Sequence, residues 1–266
     1  LGAAITSDGN TAIGRYALLS DTRGNLNVAV GRDALRAQNM GSDLDSYNTA
    51  VGALAGTAVT TGVANTLIGG LAGDALTDAD DNVAIGFFAL SSDTLGSKST
   101  AIGRGALKVQ NFTTATNAYN TAVGYNAGVA ITTGTTNTLI GGLAGDAITT
   151  GDNNTVVGYS ALGSGVASFY NTAFGYSALA ADTTGRHSVA VGRNALAAQN
   201  VTGSNNVYNV AVGSSAGTAI TTGVENVLIG GRAGVALTDA DNNLAIGQDS
   251  LSADTLGSRA VAMGPY

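Results

Sequence analysis

One short pattern recurs along this chain so regularly that few folds can hold it. With minor variation, Asn, Thr/Val, Ala/Leu, Ile/Val, Gly starts at Asn10, Asn27, Asn48, Asn65, Asn82, Ser99, Asn120, Asn137, Asn154, Asn171, Ser188, Asn209, Asn226, Asn243 and Ala260. Successive starts lie 17 residues apart, except for three steps of 21 that begin at Asn27, Ser99 and Ser188. The fifth position is Gly in all fifteen copies, the eighth is Ala in thirteen of the fourteen complete units, and the ninth is always Leu or Gly. Such a period marks stacked supersecondary units that bury their apolar face only against their neighbours. A 17-residue unit is too short for a pair of helices and suits one coil with two short strands. Val, Ile and Thr favour strands, and the motif is about one strand long. We therefore expect an all-β chain, a parallel β-roll or β-solenoid of about fifteen coils, with residues 1–266 forming a single repeat domain.

A second order sits above the coil. Each 21-residue unit carries Arg-x-Ala-Leu-x-x-Gln-Asn, over 32–39, 104–111 and 193–200. A unit ending in Ala-Gly follows it, and then one reading Leu-Ile-Gly-Gly, so the chain repeats in blocks of four units with one extra unit from Asn171 to His187. Turn signals close the coils. Gly24, Gly62, Gly96, Gly134, Gly151, Gly185, Gly223 and Gly257 each lie three residues before the next motif, where a positive φ is expected. Along the strand, Thr11 and Ile13 point one way and Ala12 the other. Both faces are largely apolar, which calls for a second covering layer. A neighbouring chain would supply it, with the small-residue column (Ala50, Leu67, Ala84, Ala101, Ala122, Leu139) lining a shared axis.

Composition fits a thin core and narrows the function. Gly accounts for 39 of 266 residues, and the aromatic share is only 5%. The net charge of −7 lacks the basic stripe that nucleic-acid binding needs, so no nucleic-acid partner is expected. No apolar stretch approaches the length of a membrane span, so no membrane insertion is expected. There is no Cys for disulfides or thiolate metal sites. The chain begins at Leu1 without a visible secretory signal and is read as a piece of a longer protein.

The units NTAIGRYAL, NTAVGYNAG and SVAVGRNAL resemble the head repeats of YadA-type trimeric autotransporter adhesins. They are still more similar to the NTAIGYQAG repeats of phage tail-fibre proteins. The resemblance spans essentially the whole chain. It implies a trimeric left-handed parallel β-roll, located extracellularly, on a cell surface or on a virion. The period departs from the adhesin repeat in being longer, and no anchor, stalk or chaperone domain lies within these residues.

Candidate sites are few. The Asn column reads as a hydrogen-bonded ladder that caps turns. The acidic turns at 74–81 and 238–241 invite a calcium site but lack the Gly-rich calcium-roll pattern, so turn capping is favoured over metal. His187 is the only histidine, so a triad would rest on it alone and a surface histidine beside Arg186 is favoured, and the many Ser and Thr include no Gly-x-Ser-x-Gly elbow placed between a strand and a helix. Glycan cleavage would need two carboxylates in a cleft. No enzyme, cofactor or metal is therefore expected. The four extra residues of the long units fall at one phase, in RAQNMGSDLDSY, KVQNFTTATNAY and AAQNVTGSNNVY. Insertions of this kind collect on one face of a solenoid, often the binding face. The expected surface-binding loops therefore carry Gln38, Asn39 and Tyr47, then Gln110, Asn111 and Tyr119, then Gln199, Asn200 and Tyr208. The expected function is a structural fibre segment for host or surface attachment, working as a homotrimer and contacting a cell-surface glycan or protein. A self-assembling filament subunit and a glycan-degrading tailspike domain are the alternatives.

Overall fold

The computed structural model describes residues 7–203 and 206–265. The chain divides into two compact units, Leu1–Thr135 and Thr136–Tyr266. In the first, three-residue strands run over Thr11–Ile13, Val28–Val30, Thr49–Val51, Thr66–Ile68, Val83–Ile85, Thr100–Ile102 and Thr121–Val123. In the second they run over Thr138–Ile140, Thr155–Val157, Thr172–Phe174, Val189–Val191, Val210–Val212, Val227–Ile229, Leu244–Ile246 and Val261–Met263. Within each unit a strand pairs in parallel and in register with its copy one coil away, as in Ala50↔Leu67 and Ala211↔Leu228. The described residues contain no helix. The expected β-solenoid is thus the observed fold, with one motif strand per coil. Where a long unit follows, a second two-residue strand pairs on another face, Gly24–Asn25 with Leu44–Asp45 and Gly96–Ser97 with Thr116–Asn117.

The interior is filled by a rule not expected from the repeat alone. The third and eighth positions point inward, and Ala50, Leu67, Ala84, Ala101, Ala122 and Leu139 are all fully buried in their own coil. This corrects the shared-axis expectation, because the small-residue column is each chain's own core. Ninth and twelfth positions then share one volume. Units with Leu at the ninth position carry Asp, Gln or Gly at the twelfth, and units with Gly at the ninth carry Val, Ile or Leu there. A Cβ on Gly145 would lie 2.8 Å from the Ile148 side chain and 2.9 Å from that of Leu139. A thin core at interior packing density has room for one branched side chain at that height of the coil, not two.

Corners are made by left-handed residues. The ninth position has φ of 47° at Leu35 and 57° at Gly145; the seventh has 58° at Leu143; the residue before each motif has 59° at Leu26 and 62° at Lys98. The Gly residues three before each motif are not among the positive-φ positions described. That expectation is corrected: glycine is there for space. A Cβ on Gly62 would sit 2.4 Å from the Ala79 carbonyl oxygen, and one on Gly24 would sit 2.6 Å from the Asp21 carboxylate.

Asn closes and links the coils, as the ladder expectation required. Asn48 donates its amide to the Gly62 carbonyl of its own coil at 2.7 Å, and its side-chain oxygen accepts the backbone N–H of Asn65 at 2.9 Å. Asn209 repeats the arrangement with Gly223 and Asn226. A fully buried polar side chain is tolerated only because its hydrogen bonds are met in this way.

Candidate functional site

The three long units do not present their nine expected residues together. Gln38, Gln110 and Gln199 are fully buried, which corrects their placement on the surface. Each occupies the inward twelfth position and joins a buried polar chain. Gln110 donates to Asp93 at 2.6 Å and to the Ser99 hydroxyl at 3.0 Å, while its oxygen accepts from Asn120 at 2.9 Å. Gln199 does the same with Asp182, Ser188 and Asn209. Gln38 bonds Asp21 and Asn48. In all three cases an Asp coil directly precedes the Gln coil, a pairing visible in the sequence but not used by the expectation. Burial pushes the Asp182 carboxyl above its ordinary range, opposed by donors from Gly185 and Gln199.

Asn39 and Asn111 are exposed and Asn200 is half-buried, each accepting from a Thr hydroxyl one coil earlier, as Thr183 does to Asn200 at 2.8 Å. The insertions are pinned rather than free, because Met40, Phe112 and Val201 turn inward where they begin. Residues 204 and 205, within the third insertion, lie outside the described residues.

Tyr47, Tyr119 and Tyr208 are exposed as well. All three hold a left-handed corner, with φ of 50°, 50° and 53°. That geometry points the ring away from the coil and separates it from the buried Gln of the same unit. Tyr47 donates to Asp45 at 3.2 Å, and that carboxylate raises its pKa, first through the hydrogen bond and then through its charge. The Lys98 ammonium sits 5.5 Å from the Tyr119 ring centre. Tyr208 stacks on His187 at 5.2 Å, and His187 stacks on Tyr170 at 5.0 Å with the rings parallel to within 1°. The single histidine is thus the middle rung of an aromatic ladder on the corner column.

The acidic turns cap their neighbours. Asp80 accepts the Val63 N–H and Asp241 the Val224 N–H, both at 2.8 Å, and Thr222 donates to Asp239. Among the described residues no three acidic or His side chains converge as a metal cage requires.

Two further surfaces flank the strands. Outward, the fourth position exposes Val51, Ile68, Ile140, Phe174, Val212 and Ile229, from 36% at Val51 to 54% at Phe174. Beyond it, the sixth, seventh and tenth positions form an edge rich in Arg and Lys. That edge holds seven basic residues against four acidic ones, while all other positions hold four basic and fourteen acidic. Comparison of the chain with protein-family models, with curated proteins and with solved structures gives no match.

Proposed function

We propose that this chain is a non-enzymatic structural segment of an extracellular or virion fibre, assembled with copies of itself as a homotrimer and serving attachment to a host or another surface. The outward apolar column carries this reading. The strand's inner face is satisfied within the coil, yet the outer face still shows a branched or aromatic residue in one coil after another. Single chains rarely leave apolar patches larger than a few hundred Å² in water. A second copy is the occupant the repeat favours, because every coil presents the same outward column and identical chains can meet along it. Identical chains set side by side around an axis would place that column of each against the next, a head-to-tail contact. Such a head-to-tail interface closes into a ring. The resemblance to adhesin-head and tail-fibre repeats gives the same assembly and supplies the attachment role.

Since the chain has no Cys, a single Ile229→Cys substitution tests the face directly. Under oxidation it should give covalently linked pairs of chains, whereas Thr132→Cys, at an exposed turn, should not. Equal linkage in the two variants, or none in either, would count against the interface. Attachment is tested with labelled protein on intact cells of candidate hosts. Binding should fall when Tyr47, Tyr119 and Tyr208 are replaced together by Ala, and unchanged binding would remove them from that role.

A further inference from the structure

The basic edge opens into a hollow of about 410 Å³ in the second unit, lined by Arg193, Ser214, Ser215, Gly231, Arg232 and Gln248. We propose that this hollow binds the acidic group of a charged saccharide, a carboxylate or a sulfate, with the sugar hydroxyls held by Ser214, Ser215 and Gln248. This deepens the attachment reading and rests on it for its purpose.

The block structure supplies an internal comparison. Read along the sixth position, the first block has Arg32, Ala53, Gly70 and Phe87, the second has Arg104, Tyr125, Gly142 and Tyr159, and the third has Arg193, Ser214, Gly231 and Gln248. In the first two, the aromatic ring of the following coil covers the glycine. A Cβ on Gly70 would lie 3.4 Å from Phe87, and one on Gly142 would lie 3.5 Å from Tyr159. Nothing lies within 4 Å of the same point on Gly231. The hollow exists because Gln248 replaces an aromatic ring there.

The arginines differ in the same way. Arg32 pairs with Asp33 at 3.0 Å, and Arg104 donates to the Tyr125 hydroxyl at 3.2 Å. Arg193 has no such partner among the described residues and is exposed at the rim of the hollow. Across from it stands Arg232, where the other blocks have Leu71 and Leu143. The Nε of Arg232 lies 2.6 Å from the Asp249 carboxylate, an ion pair that does not engage the two Nη nitrogens. Two guanidinium groups against one carboxylate make the hollow a net cation in a chain of charge −7. Guanidinium forks match planar carboxylate and tetrahedral sulfate oxygens.

Size and lining point to a saccharide rather than a lone ion. The volume is that of small-molecule sites, roughly 300–1,000 Å³. One oxyanion between the arginines leaves most of it empty. Beside the apolar Val235, the remaining wall offers hydroxyls and an amide that both donate and accept, which is what sugar hydroxyls require.

Calorimetric titration of the intact chain decides the matter with four probes: tetragalacturonate, a heparin-derived tetrasaccharide, neutral cellotetraose and inorganic sulfate. At least one acidic tetrasaccharide should bind, and the two together distinguish carboxylate from sulfate as the recognised group. Cellotetraose should not bind. Arg193→Ala and Gly231→Tyr should each weaken binding at least about tenfold, the first by losing a charged hydrogen-bond donor and the second by filling the space. Arg32→Ala should leave binding unchanged, and melting of all three variants should match the parent. Failure of both acidic tetrasaccharides to bind, unchanged affinity in both hollow variants, or equal binding of inorganic sulfate would overturn the proposal. A trimeric parent that binds none of the probes would fail this inference alone, and a monomeric parent that binds would fail the assembly alone.

Discussion

Replacing Gly141 with Ala adds one methyl group at a point where consecutive coils of the second unit meet backbone to backbone. Gly141 has φ of 132°, and its Cβ would lie 2.7 Å from the Gly158 carbonyl oxygen and 2.8 Å from its carbon. Holding an L-residue in that region costs about 1–3 kcal/mol. Relieving a backbone overlap of this size costs about another 1–3 kcal/mol, because the neighbour is main chain and cannot rotate away. The sum, on the order of 4 kcal/mol, is a large part of the 5–15 kcal/mol that typically holds a domain together. Gly142→Ala is the internal control. Its Cβ would meet only the Tyr159 ring at 3.5 Å and its φ is not positive, so the change should stay within about 0.5 kcal/mol. Urea unfolding followed by far-ultraviolet circular dichroism should show a large fall in midpoint for Gly141→Ala and almost none for its neighbour. Matching midpoints would refute the claim that the invariant glycine column is set by coil-to-coil contact.

Adjacent residues separate core from interface. Leu228→Asp buries an unpaired charge in the coil and should prevent folding, whereas Ile229→Asp, on the exposed face, should fold and lose assembly, as read by circular dichroism and particle mass. Gln110→Met removes the amide shared by Asp93, Ser99 and Asn120, and should cost on the order of 3 kcal/mol in urea unfolding because buried polar groups lose their partners. Burial also raises the carboxyl pKa values of Asp74 and Asp146, as it does for Asp182. These groups bind protons more tightly folded than unfolded, so they add stability as pH falls from neutral toward the ordinary carboxyl range near 4 and lose it as pH rises back. The melting temperature of an Asp74→Asn/Asp146→Asn variant should therefore gain less on acidification than the parent's; an equal or larger gain would contradict the assignment.

The coil, its parallel register and the Asn ladder were legible because they depend on residues that recur at a fixed spacing. Direction within the coil was less so. Period-two alternation separates Leu228 from Ile229 but does not say which faces inward, and in this strand both are apolar. The inward side is set by the ninth and twelfth positions, whose Leu/Gly exchange leaves room for the third-position residue. Corner geometry left no signal either. Left-handed corners fall at Leu26, Lys98 and Tyr119, where composition suggests nothing unusual, because stacking rather than propensity imposes them. Gln110 looked like a surface residue because Gln usually is one. Its burial could have been read from Asp93 one coil earlier at the same phase. The hollow beside Arg193 emerges only when the three blocks are laid over one another, since it is an aromatic ring missing from one of them.

Copies of the same chain are expected to cover the outward Ile/Val column. Light scattering coupled to size-exclusion chromatography measures this directly. A single species of three times the 26.0 kDa chain mass, unchanged on dilution through the micromolar range, is the expected result. A monodisperse particle at the mass of one chain would contradict it.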